Sequence, residues 1–156
     1  MGKIVAVSGH FDPLHEGHLL HILKASMLGD YLMAIVNTDE QILHKRGPGG
    51  KLNMSLDWRM EIVRILMKGL DIRGMVVPCV DKDGSVTASL EYYHPQIFAK
   101  GGDRTENNMP KEELDACQRL GIEIAYGVGG KLNSSRVMET VRDGVWDDRL
   151  GGRRGV

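Results

Sequence analysis

Aromatic side chains are scarce in this chain of 156 residues, which has two Phe, two Trp and four Tyr. Its core must therefore be built from aliphatic residues and from its nine methionines. Cysteine is scarcer still. Cys79 and Cys117 stand far apart, with no CxxC spacing and no histidine at ligand spacing, which excludes a disulfide framework and leaves two reduced, buried or half-buried thiols. Charge of one sign is also missing: the formal net charge is −1. That excludes the clustered basic surface of a general nucleic-acid binder, but not a small polyanion, which needs only a few local cations. No apolar run approaches the length of a membrane span. Met1-Gly2-Lys3 leads straight into Ile4-Val5-Ala6-Val7 without a signal-peptide layout, so the cytoplasm is the expected compartment. The length suits one domain with a full core.

What is present is an alternation of strand and helix patterns. Ile4 to Val7 is a β-branched run of the kind buried on both faces of a parallel sheet, and it ends at Gly9. From His18 to Leu28 the residues Leu19, Ile22, Leu23 and Met27 recur at helical spacing, with Gly29 as a stop. Tyr31 to Val36 reads as the second strand, followed by a short helical segment from Asp39 to Leu43 and a flexible cationic loop, "HKRGPGGKLN", over 44–53. Ser55 caps a third helix that places Leu56, Met60, Val63 and Met67 on one face and closes at Gly69. The third strand is Gly74 to Pro78, a short helix runs from Thr87 to His94, and the fourth strand is Gln96 to Lys100. Asn108 and Pro110 start a helix that ends at Gly121, Ile122 to Val128 forms the fifth strand, and a last helix runs from Ser134 to about Asp143. This pattern predicts an α/β fold, a doubly wound five-stranded parallel sheet in a single domain over 1–146, with 147–156 as a flexible tail. Ligands of such sheets bind beyond the carboxyl ends of the strands. The loops 44–53, 101–108 and 127–134 meet the first strand's exit there.

That exit is the stretch "SGHFDPLHEGH" over 8–18, which places three histidines behind an apolar strand. A zinc-binding HExxH pattern needs histidines four apart, and His15 and His18 are three apart, so no metal site is assigned. Two readings remain from the residues alone: a polar helix start, or a cradle for a phosphate chain. Histidines three apart in a first helical turn share a face, where free N–H groups and the helix dipole attract anions. Gly9 and Gly17 remove side chains where a nucleotide would come close. "GGKLN" at 49–53 and 129–133 is no phosphate loop. Lys45 and Ala125 stand where its first glycine belongs, and Leu52 and Leu132 where Ser or Thr belongs.

"GHFDPLHEGH" resembles the signature of the HxGH nucleotidyltransferases, the superfamily of cytidylyltransferases and small adenylyltransferases. His15, Gly17 and His18 match the motif itself. Ser55 to Arg59 resembles the segment whose arginine faces the triphosphate, "AKGGD" at 99–103 the glycine and aspartate element after the fourth strand, and "NSSRV" at 133–137 the Ser-Thr-Thr helix start. "FAKGGD" at 98–103 is closer to the ADP-heptose branch, while Tyr126 to Lys131 replaces the Arg-Thr-x-Gly run of glycerol-phosphate and choline-phosphate enzymes. The resemblance implies a Rossmann-like domain, often homodimeric, that joins CTP or ATP to a small phosphorylated metabolite, releases pyrophosphate and uses Mg²⁺ with the triphosphate. A non-catalytic nucleotide-binding module is the other class it allows.

The resemblance also implies roles. His15, His18, Lys45 and Arg59 are the expected catalytic residues, with the histidines donating to the α- and β-phosphates and the cations neutralising the outer ones. Gly9, His10, Phe11, Asp12, Gly17, Arg46, Gly101, Gly102, Asp103, Ser134 and Ser135 are the expected nucleotide-binding set. Each has an ordinary alternative: solvated loop cations for Lys45 and Arg46, a surface ion pair for Arg59, a turn for Asp103, plain helix caps for Ser134 and Ser135. His10 stands where relatives carry Thr or Ser. His10 and His21 read as bystanders.

Overall fold

A computed structural model describes residues 2–102 and 104–129. Within them five strands form one all-parallel sheet, in the order β3-β2-β1-β4-β5. The strands are β1 (Ile4–Gly9), β2 (Tyr31–Val36), β3 (Gly74–Pro78), β4 (Ile97–Ala99) and β5 (Glu123–Ala125). β1 lies in the middle, in register from Ile4 opposite Tyr31 to Gly9 opposite Val36 on one side, and with Val5 opposite Ile97 on the other. The chain moves outward from β1 to β3, then returns through β4 on the far side of β1. The connections that leave β1 and β4 thus diverge, opening the crevice in which α/β sheets bind ligands.

The period of two along each strand divides the core. Val5, Val7, Leu32, Ala34 and Val36 face one side, where helices α1 (Glu16–Ser26) and α3 (Leu56–Gly69) contribute Leu20, Leu23, Met60 and Val63. Ala6, Met33, Ile35 and Phe98 face the other and meet α4 (Thr87–Tyr93) and α5 (Lys111–Leu120) through Leu90 and Cys117. Both faces of the sheet are therefore covered, as a doubly wound sheet requires. Cys79 and Cys117 are free and buried. Burial pushes the Cys117 thiol up to about 11, which keeps it protonated and inert. No helix among the described residues is long and apolar enough to cross a membrane.

Several boundaries differ from the sequence expectation. Helix α2 (Asp39–Arg46) continues beyond Leu43, because Thr38 and Gln41 form a reciprocal capping box at its start and His44, Lys45 and Arg46 suit the negative end of the dipole. Lys45 and Arg46 thus stand in a helical turn, and the loop begins only at Gly47, whose φ is 74°. β5 stops at Ala125, and Gly127 and Gly129 follow with positive φ. Ser55 sits at the start of α3 without making a capping bond. The expected last helix and the tail lie outside the described residues.

Candidate active site

The HxGH stretch folds as a cap that orients both imidazoles. His15 is the N-cap of α1, and its Nδ1 accepts the Gly17 N–H at 3.0 Å, while His18 Nδ1 accepts the His15 N–H at 3.2 Å. With each Nδ1 an acceptor, the proton of each neutral ring resides on Nε2, so both can donate to a phosphate without being charged. The rings stack with centroids 3.8 Å apart. A Cβ on Gly17 would come within 2.9 Å of His15 Cε1, which is why that position needs glycine. Burial, followed by the nearby His15, His21 and His10, lowers His18 to about 4, so its ring is neutral at pH 7.

The polar framework behind these histidines uses residues expected in the site. The buried Asp12 carboxylate accepts the backbone N–H groups of Asn53 at 3.0 Å and Met54 at 2.7 Å and pairs with Arg46 at 2.7 Å. Burial raises the Asp12 carboxyl, but these bonds outweigh it and hold the group below the ordinary carboxylate value. Arg46 also donates to the Asp12 and Lys51 carbonyls. Arg59 is 0% exposed, and it donates to the carbonyls of Met54, His10 and Asn37 and to the Asp39 carboxylate. Buried and bonded in this way, Arg59 holds the loop after β1 rather than facing an outer phosphate, and Arg46 with Asp12 ties that loop to 51–54. Phe11, at φ 51° and 1% exposed, packs edge-on against the His18 ring 5.0 Å away, supporting it from inside the fold.

Two cavities open at the carboxyl ends of the strands. One, of about 450 Å³, is lined by His15, Gly17 and His18 of α1 and by Gly101, Gly102, Val128 and Gly129 from the loops after β4 and β5. The other, of about 540 Å³, is lined by His10, Asn37, Gln41, His44, Lys45 and Glu113, among others. Ser8, His18, Lys100 and Arg104 line both. Gly9 and His10 belong to the second cavity, as does Lys45. Burial and the positive charges of Lys45, Arg46 and Arg59 lower the His10 pKa. Ser134, Ser135 and Asp103 lie outside the described residues.

Sequence reasoning missed Lys100, Arg104, His44 and Glu113. Lys100 Nζ lies 3.4 Å from Glu113 Oε2 and 4.6 Å from the Phe98 ring centroid. Its position directly after a buried strand and before Gly-Gly was the available signal. Among the described residues no three His, Cys, Asp or Glu side chains form a metal cluster. The described walls offer one carboxylate, that of Glu113, already paired with Lys100.

A family model described as cytidylyltransferase-like matches residues 6–139. Among curated proteins, the bifunctional protein HldE of Pseudomonas savastanoi pv. phaseolicola is 36% identical over 137 residues, which is 88% of this chain and 25% of that protein. HldE of Vibrio cholerae serotype O1 strain O395 is 38% identical over 102 residues, 65% of this chain and 20% of that protein. The chain thus spans about a quarter or less of the length of these relatives. Among solved structures, a lipopolysaccharide core biosynthesis protein from Thermoplasma volcanium matches with a TM-score of 0.57 at 21% identity, covering 85% of this chain and 98% of that one. TmcAL of Thermotoga maritima, solved with α-thio ATP, matches with a TM-score of 0.59 at 12% identity over 94% of this chain and 52% of that one. These structural likenesses carry the fold alone.

Proposed function

The chain belongs to the cytidylyltransferase-like family, and we propose that it transfers a nucleoside monophosphate from CTP or ATP to a small phosphorylated metabolite, a sugar or polyol phosphate, releasing pyrophosphate. The observation that carries this reading is the pair of imidazoles whose Nδ1 atoms accept backbone N–H groups at the start of α1, set where two cavities meet. The triphosphate occupies the cavity of His15 and the glycine loops, and the acceptor occupies the more cationic one. An acceptor phosphate oxygen attacks the α-phosphorus in line, a new P–O bond forms, and the bond to the bridging oxygen breaks with its electron pair leaving on pyrophosphate. His15 and His18 donate from Nε2 to the α- and β-phosphate oxygens as charge develops. Lys100 and Arg104, shared by both cavities, hold the anions that approach from either side, and Lys45 serves the acceptor side. The family resemblance of "NSSRV" assigns Ser134 and Ser135 as further donors to the phosphates. Mg²⁺ bound to the nucleotide would supply neutralising charge at the outer phosphates.

The ADP-heptose type, with ATP and a heptose phosphate, is the form of this reading favoured by "FAKGGD". We place the protein in the cytoplasm as a homodimer. Trp58 and Ile65 on α3, 66% and 62% exposed, offer apolar surface for that pairing. The test is pyrophosphate release with Mg²⁺, each of ATP, CTP, GTP and UTP in turn, and a panel of sugar and polyol phosphates that includes a heptose phosphate. Release with one nucleotide and one acceptor, lost in His15→Ala, is the expected result. A protein that binds nucleotide and releases no pyrophosphate with any acceptor of the panel would instead be a binding module.

A further inference from the structure

His21 lies one helical turn beyond His18 on α1 and has no part in the transfer steps above. Its half-buried ring places Nδ1 2.6 Å from the Val128 carbonyl oxygen. A carbonyl only accepts, so Nδ1 carries the proton of this bond. Val128 N–H in turn donates to the Lys100 carbonyl at 2.9 Å, and Lys100 N–H donates to the Ala125 carbonyl at 2.8 Å. The segments that leave β4 and β5 are thereby laced to each other, and His21 fastens the pair to α1. Two glycines admit the histidine. A Cβ on Gly101 would lie 3.1 Å from His21 Nδ1, and one on Gly129 would lie 3.2 Å from His21 Cα.

We infer that His21 is a positioning residue for the nucleotide: its bond to the Val128 carbonyl fixes the glycine-bearing loops 100–102 and 127–129 as one wall of the cavity that His15 and His18 line. The inference rests on the nucleotide occupying that cavity, as proposed above. An unfastened wall leaves a part-buried acceptor without this donor and lets the loops separate, so part of the binding energy of the nucleotide goes into reordering them. The geometry is particular to Nδ1. Asparagine carries a donor nitrogen at the same remove from its Cα, whereas phenylalanine keeps the ring and loses the donor.

Titration calorimetry of Mg–ATP and Mg–CTP against the full chain, His21→Phe and His21→Asn, with a thermal melt of each, tests this. The Phe variant is expected to bind nucleotide about tenfold more weakly, and the Asn variant to return within about threefold of the original, as the loss and recovery of one part-buried hydrogen bond imply. In steady state the Phe variant raises KM for the nucleotide and leaves kcat and the acceptor KM in place. Should the Phe variant melt too low to assay, His21→Leu, which is smaller and equally without a donor, is expected to show the same nucleotide-only loss. Unchanged nucleotide affinity in the Phe variant overturns the inference, and so does an Asn variant as weak as Phe. A wild-type chain that binds neither nucleotide overturns the site reading together with this one, while nucleotide binding without turnover overturns transfer alone and leaves His21 judged by Kd.

Discussion

His15 and His18 show how much one backbone contact decides about a side chain. Because both Nδ1 atoms accept N–H groups of the cap, the tautomer of each neutral ring is set before a ligand arrives, and no reorganisation is needed when phosphate charge develops. His18→Ala is therefore expected to lower kcat about 10²- to 10³-fold, the loss seen when one preorganised donor is removed, with nucleotide KM changing far less. Equal losses in 1/KM and kcat would identify His18 as a ground-state binding group instead. The same residue sets a pH dependence. Its folded value of about 4 lies below the ordinary 6.5, so between those values the unfolded chain binds more protons and stability rises with pH. The contribution is fully present above about pH 6.5 and is lost as the pH falls toward 4. His10 and His21, both lowered chiefly by burial, act in the same direction. Urea midpoints measured from pH 7 to pH 4 are expected to fall less steeply for His18→Gln than for the wild type. Parallel curves would mean that His18 does not carry this pH dependence.

Elements, rather than single side chains, explain where the sequence could be read and where it could not. Strands β1 to β4 and helices α1 and α3 were visible because β-branched runs and helical apolar spacing are local signals. The end of α2 was not, since "HKRGPGG" looks like a loop until the Thr38 and Gln41 cap and the dipole extend the helix to Arg46. That shift moved Arg46 against Asp12. Arg59 was misjudged for a related reason. Three of its four partners are backbone carbonyls, which every residue possesses and no motif records. Its job is to bind α3 to the loop after β1 and to the start of α2. Arg59→Met would orphan three carbonyls and is expected to cost more than about 3 kcal/mol in chemical denaturation, at about 1 to 3 kcal/mol for each unsatisfied buried acceptor. A loss near zero would mean that water replaces the guanidinium and that the loop does not depend on it. Asp12→Asn tests the neighbouring clamp: the wild type carries a carboxyl held below its ordinary pKa, so it loses stability as the pH falls through that lowered value. The Asn variant is expected to lack that acid-dependent part in the same denaturation series.

At the scale of the molecule, the sheet order β3-β2-β1-β4-β5 brings the exits of β1, β4 and β5 together, and both cavities lie at those exits. That His15 and His18 share the first turn of α1 was readable because their spacing is local. The wall formed with Val128 was not, because His21 meets a carbonyl 107 residues further along the chain. The chain as a whole is nearly neutral, with a formal charge of −1, yet Lys45, Lys100 and Arg104 line the two cavities with Glu113 as the one acidic side chain among the described lining residues. Attraction for a polyanion is thus local, and it acts on the folded state only, since unfolding scatters these cations. Binding to the native state alone stabilises by RT ln(1 + [L]/Kd), which is about 2.7 kcal/mol at a hundredfold excess over Kd. For a chain of this length, at roughly 2 to 4 °C for each kcal/mol, that corresponds to a rise in Tm of roughly 5 to 11 °C. Mg–ATP or Mg–CTP is expected to produce such a rise, growing with the logarithm of nucleotide concentration and shrinking in high salt as the cavity cations are screened. A Lys100→Met, Arg104→Met double variant should lose most of the shift, while Lys24→Met on the outer part of α1 should keep it. If both variants responded alike, the nucleotide would be bound by something other than the cations shared by the two cavities.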